Sequence, residues 1–144
     1  MELSKIVQRV NNKLAGELLT YEMLRDYLDE TIDDINARLN SKFPAFSDFN
    51  FNDYPNYPDY NFFPDNFIRS VVVRGAAYKF FIVDEEGSNV AEQFKYDYLD
   101  GLFLMERDYA EQVPEEFQSD NTGSVKFDTE TWQNNSTPFY FPIL

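Results

Sequence analysis

The stretch that decides the fold is residues 20–39, which read TYEMLRDYLDETIDDINARL. Apolar residues recur there at every third or fourth position, so they share one side of a helix. Thr20 is a good N-cap because its hydroxyl can accept a hydrogen bond from the first turn. The sequence therefore predicts an amphipathic helix that ends near Ser41, before Pro44. Its apolar stripe is Leu24, Tyr27, Leu28, Ile32, Ile35 and Leu39, opposite Arg25, Asp29, Asp33 and Asn36.

Two more helices follow from the same spacing on either side of a proline-rich segment. Residues 3–14 carry apolar positions at helical intervals and predict a short first helix. Pro64 and Asp65 open a third helix that runs to about Val83. This helix is apolar nearly all round, so we expect it to be central, with Gly75 permitting a close neighbour.

A last helix begins where Asn89 is followed three residues later by Glu92, a spacing typical of a capping box. Pro114 ends it. Its predicted stripe is Ala91, Phe94, Tyr98, Leu102, Met105 and Tyr109.

These patterns predict a mainly α fold, a small helical bundle of about four helices within residues 3–112. Residues 1–113 form the bundle, including a long aromatic loop at 43–63, and residues 114–144 form an extended C-terminal arm. Alternating residues at 125–131 suggest that the arm adds a strand to another sheet. The residues expected in the core include Ile35, Leu39, Val72, Phe94 and Leu102.

The loop and the arm are unusual because many aromatic residues lie among Asn, Asp and Pro. Pro55 and Pro58 exclude a helix in the loop, and an extended path would present one aromatic edge. Exposed aromatic side chains are costly unless something covers them, which favours an intermolecular interface over collapse onto the chain's own bundle. The predicted interface residues are Phe46, Phe49, Phe51, Tyr54, Tyr57, Tyr60, Trp132, Phe139, Tyr140, Phe141, Ile143 and Leu144.

Composition argues against several functions. The net charge is −14, and no cationic stripe is evident along the chain, so we expect no tight binding of duplex DNA. Histidine and cysteine are absent, which removes the usual catalytic and transition-metal ligands. Residues 48–59 begin like a calcium loop, but Asp53 stands where the turn needs glycine. We therefore expect no cofactor, no metal and no enzymatic activity.

The order of elements resembles the head-to-tail adaptor (connector) proteins of tailed bacteriophages. The resemblance covers residues 3–112 and rests on helix lengths and apolar positions, including the segments LTYEML (19–24), INARL (35–39), PDNFI (64–68), RGAAYKF (74–80), AEQFKYDY (91–98) and MERDY (105–109). It implies a structural virion protein made in the host cytoplasm and located in the neck. Such proteins form rings, commonly twelve-fold, that bind the portal and the tail or neck proteins and line the channel through which DNA passes.

Two other functions remain open. The acidic surface would also suit an inhibitor or DNA mimic that occupies a basic, nucleic-acid-handling partner. An enzyme that uses only carboxylates is the least supported reading, because charged residues on amphipathic helices usually face solvent. The longest apolar stretch, at residues 71–83, contains Arg74 and Lys79 and is too short to span a bilayer, so we expect no membrane association.

Overall fold

The computed structural model describes residues 1–14, 18–48, 59–84 and 89–119. These residues are mainly helical, which confirms the predicted helical bundle. The α-helices are α1 (Leu3–Lys13), α2 (Tyr21–Leu39), α3 (Asp65–Phe67), α4 (Val73–Asp84) and α5 (Asn89–Tyr109). A π-helical segment, Ile68–Val72, joins α3 to α4. Together they form one continuous helical rod over residues 65–84, so the bundle contains four long helical segments.

The chain divides into two units, Met1–Val113 and Pro114–Leu144. The five α-helices of the described residues belong to the first unit. In the second unit the structure describes residues 114–119, which contain the 3₁₀ turn Glu115–Phe117. The predicted strand at 125–131 lies outside the described residues.

The helical rod over residues 65–84 lies at the centre of the first unit and contacts α1, α2 and α5. This position was expected from its apolar surface. Gly75 allows α2 to approach, because a Cβ atom there would lie 2.5 Å from Thr31 Cγ2 and 2.7 Å from Tyr98 Cε1. Of the predicted core residues, Ile35, Leu39, Val72 and Leu102 are buried. Phe94 is only half-buried, contrary to the prediction, because it lies at the wall of a surface cleft.

The π-helical segment was not predicted. It contains the first two valines of the Val71–Val73 run, whose branched side chains crowd a regular α-helix. Helix α5 approaches the rod closely at this segment. Gly101 lies directly against the Ser70 carbonyl oxygen, and a Cβ atom at this position would collide with it. The absence of a side chain at Gly101 therefore sets the separation of the two helices.

The ends of α2 follow from its sequence. The Thr20 hydroxyl accepts a hydrogen bond from the Met23 amide at 3.4 Å, as the N-cap prediction required. At the other end Asn40 adopts a left-handed conformation with φ of 53°, which asparagine tolerates better than most residues. The chain then leaves the helix and turns back along it.

Two polar residues of α2 hold the returning chain, although the sequence pattern had placed them on the solvent side. Asn36 accepts the Phe43 amide at 2.8 Å and donates to the Phe43 carbonyl oxygen at 3.0 Å. Asp29 accepts the Phe46 amide at 2.7 Å and the Ser47 amide at 3.3 Å. The expectation that Asp29 and Asn36 only face solvent is therefore wrong, because backbone amides of the loop bind to them.

Candidate functional site

The described part of the aromatic loop packs on the chain's own bundle. Phe46 is 0% exposed and Tyr60 is 2% exposed, and their rings stack with centroids 4.4 Å apart. Phe63 packs edge-on against Phe43 and Tyr60. The prediction that Phe46 and Tyr60 lie in an intermolecular interface is therefore wrong, since neither ring is available to a partner.

The cause of this burial is the tether to α2 together with a hydrogen bond inside the cluster. The Tyr60 hydroxyl donates to the Pro44 carbonyl oxygen at 2.6 Å, so the polar end of the ring is satisfied while its face is buried. Burial raises the pKa of Tyr60 well above its ordinary value, with smaller contributions from Asp29 and Asp48. The phenol therefore stays protonated. The other predicted interface residues lie outside the described residues: Phe49, Phe51, Tyr54, Tyr57, Trp132, Phe139, Tyr140, Phe141, Ile143 and Leu144.

A basic cleft of about 660 Å³ lies between α1, the central rod and α5. Its cationic residues are Arg9, Lys13, Arg69 and Arg74. Val73 and Phe94 supply an apolar part of the lining, and the Phe94 ring stacks on Phe81 with centroids 4.9 Å apart. Asp97 is the acidic residue of this lining. A chain with a net charge of −14 thus presents a local positive surface.

This cleft corrects the expectation that the chain has no cationic stripe. The clustering of these cations could not be predicted from the sequence, because Arg9 and Arg69 belong to different helical segments. They come close together only in the folded unit. One part of it was nevertheless visible: Lys5, Arg9 and Lys13 are spaced four residues apart and share one face of α1. All three are exposed. Helix α1 contains three basic residues and no acidic one.

Lys5 and Arg9 of α1 lie beside Glu2, Asp59 and Asp65 in a depression that adjoins the cleft, but at distances longer than an ion pair. Among the described residues, no carboxylate forms an ion pair with Lys5, Arg9 or Lys13. At the α5 side, Arg74 Nη1 donates to the Asp97 backbone carbonyl oxygen at 3.3 Å, which places this guanidinium at the cleft wall. The guanidinium and ammonium groups of the cleft therefore have hydrogen-bond donors that could meet an acidic group.

A second polar cluster joins α2, α4 and α5. Asp34 Oδ2 accepts hydrogen bonds from Lys79 Nζ at 2.8 Å and from the Tyr98 hydroxyl at 2.7 Å. Burial, then the hydrogen bond to Asp34, raises the pKa of Tyr98 well above its ordinary value. A phenol that is held protonated in this way is a poor base. We therefore interpret the cluster as a clamp that stabilises the packing of three helices, and not as a site of proton transfer.

The outer face of α5 carries an apolar stripe. Tyr96 is 63% exposed, Leu99 is 39% exposed and Phe103 is 54% exposed. They are spaced three and four residues apart, so they lie along one side of the helix. We call these three residues the α5 stripe. Contiguous exposed apolar surface of this kind is typical of protein contact sites.

The part of the chain that the structure describes holds no group of acidic residues arranged for a metal ion. None of the helices in that part combines the length and apolarity needed to cross a membrane. No protein-family model matches the chain, and no curated protein or solved structure shows significant similarity to it.

Proposed function

We propose that this chain is a structural virion protein, a head-to-tail adaptor of a tailed bacteriophage that forms a ring between portal and tail and lines the DNA channel. The observation that carries the assembly part of the proposal is the α5 stripe. Large apolar side chains aligned on one exposed helix face form the kind of surface that a partner commonly covers. The proposal that the assembly is a ring between portal and tail rests on the resemblance to adaptor proteins.

The charge distribution supports the same function. Helix α2 carries six acidic and two basic residues, so the chain presents abundant carboxylates in addition to the basic cleft. A channel lined with carboxylates repels DNA phosphates at short range, which lets DNA pass without being held. Because duplex affinity depends on released counterions, the proposal predicts weak DNA binding by the assembled ring.

The experiment that tests this proposal is a measurement of assembly. Purified chain is examined by analytical ultracentrifugation over a range of concentrations, alone and with the portal protein encoded near it. The proposal expects a ring or a stable portal complex. A chain that remains monomeric under all these conditions and ignores the portal would overturn it.

A second candidate function is an acidic inhibitor that mimics DNA. The row of exposed acids on α2, Glu22, Asp26, Glu30 and Asp33, favours it because the carboxylates follow one face of a rigid helix. Such a protein would stay small in the ultracentrifuge and form a complex with a basic nucleic-acid-handling protein. The same assembly measurement therefore separates the two candidates.

A further inference from the structure

We propose that the basic cleft of one copy binds the outer face of α2 of a second copy, so that neighbouring subunits join head to tail. This inference rests on the proposed function, because it names the contact that would build the ring. We define the α2 acidic row as Glu22, Asp26 and Glu30, all of which are exposed.

The two surfaces match in spacing. Arg9 and Lys13 of the cleft lining, together with Lys5 one turn before them, repeat every four residues along α1. The α2 acidic row also repeats every four residues. Four residues correspond to about 6 Å along a helix, so successive charges of the two helices can face each other along the whole contact.

Within each row, charges of the same sign lie close together and repel one another. Like charges four residues apart on a helix destabilise it by a few tenths of a kcal/mol per pair. Within the described residues the α1 row has no ion pair, and the α2 acidic row has only the Arg25–Asp26 contact of 3.9 Å. Asp29 and Asp34 of α2 differ, since both are bound within the unit. Pairing the two rows relieves the repulsion in each.

The cleft also accommodates an apolar side chain of the same α2 face. Met23 lies three residues before Asp26 and is 58% exposed. Val73 and Phe94 in the cleft lining offer it an apolar surface. The central part of the contact would therefore combine burial of an apolar side chain with charged pairs around it, as protein interfaces commonly do.

A head-to-tail contact suits this arrangement. A two-fold dimer would have to form both cleft–row pairs at once around one axis, whereas a head-to-tail contact forms one pair at each interface. The cleft and the α2 acidic row share no residue, so each copy offers one surface of each kind. Contacts between two different surfaces close into rings when the rotation allows.

The decisive experiment uses paired charge reversals in the full chain. One variant, Arg9→Glu/Lys13→Glu, makes the cleft acidic, and the other, Asp26→Lys/Glu30→Lys, makes the row basic. Each variant alone should associate roughly tenfold more weakly than the natural chain, because like charges would face each other. An equimolar mixture should regain assembly, since each variant then complements the other and the two alternate around the ring. Circular dichroism checks that both variants are folded.

A matched control changes the same number of charges away from both surfaces. The control Arg38→Glu/Lys42→Glu, at exposed positions outside the cleft, the α2 acidic row and the α5 stripe, alters the net charge as much as the cleft variant does, and it should assemble like the natural chain. If the natural chain assembles but the cleft and row variants do so equally well, the contact is elsewhere and the adaptor function stands. If the mixture fails to recover, the pairing of cleft and row is wrong.

Other outcomes overturn the inference in different ways. If the natural chain never self-associates, with or without portal, both the inference and the adaptor function fail. If it binds duplex DNA at sub-micromolar concentration and Arg9→Glu/Lys13→Glu abolishes that binding without affecting assembly, the cleft binds phosphates instead of a second copy.

Discussion

Gly75 of α4 lies so close to α2 that a Cβ atom on it would stand 2.5 Å from Thr31 Cγ2. We expect Gly75→Ala to lower the free energy of unfolding by about 1–3 kcal/mol, because the overpacking outweighs the gain of about 1 kcal/mol in helix propensity. Urea unfolding measures the change. Thr31→Ala removes the nearest atoms, so the double variant should lose less than the sum of the two single losses. If the losses of the two single variants simply add in the double variant, the contact with Thr31 is not the cause of the destabilisation.

Gly101 provides a contrasting case. Its neighbour is the Ser70 backbone carbonyl oxygen, which no side-chain substitution can remove. We expect Gly101→Ala to destabilise the unit at least as much as Gly75→Ala, and no substitution at Ser70 should rescue it. Comparison of urea midpoints tests this. A Ser70 variant that restored stability would contradict the assignment to the backbone.

Two adjacent aspartates allow a controlled test of the α2–α4–α5 clamp. Asp34→Asn removes the charge that accepts from Lys79 and Tyr98, and we expect a loss of about 1–2 kcal/mol in unfolding free energy, since Asp34 is partly exposed. Asp33→Asn, at an exposed position, should change stability by less than about 0.5 kcal/mol. The two variants are compared by thermal and urea unfolding. If both lose the same amount of stability, the clamp contributes nothing to the stability of the fold.

Alkaline pH should destabilise the unit through Tyr98. Its pKa is raised in the folded state, so its contribution is complete below pH 10, the ordinary value, and is lost as the pH rises above it. We expect Tyr98→Phe to unfold with a shallower dependence on pH above 10 than the natural chain. Tyr96→Phe, which removes an exposed phenol from the same helix, is the control. If the stability of all three chains falls with the same slope above pH 10, the pKa of Tyr98 is not raised in the folded state.

The end of the chain is predicted to be a docking element. Deletion of residues 132–144 should leave helical content and melting of the monomer nearly unchanged, because the helices lie within Met1–Val113, while assembly or portal docking is lost. Replacing Phe139, Tyr140 and Phe141 by serine keeps the length and should give the same result. If the truncated chain unfolds, or assembles like the full chain, the segment has another role.

The helices could be predicted from sequence because their signals are local. The stripe of α2, the cap at Thr20 and the close approach at Gly75 depend on spacing and residue type within a few turns. Phe46 and Tyr60 could not be placed in this way. Their segment has no helical period, and whether a partner or the chain itself covers an aromatic ring depends on the backbone tether at Asp29 and Asn36.

The basic cleft was beyond prediction for a related reason. Charges that meet across a fold are separated along the chain, and the net charge of −14 conceals them. The burial of Phe94 was predicted wrongly. A helical stripe shows which side of a helix faces inward, but it does not show where along that side a surface cleft leaves a residue partly exposed. The four-residue repeat of basic residues on α1 was the one local signal that could have indicated this surface.

The tether between α2 and the following segment has a consequence for the order of folding. Asn36 and Phe43 are seven residues apart, whereas Asp34 and Tyr98 are 64 residues apart. Closing a short loop costs less chain entropy than closing a long one, so α2 and the returning chain can order first. We expect pulsed hydrogen exchange during refolding to protect the Phe43 and Phe46 amides before the amides of α5. The acids on the outer side of α2 would then be fixed on a rigid helix while the rest of the chain is still collapsing, and their mutual repulsion would help keep that early species from aggregating.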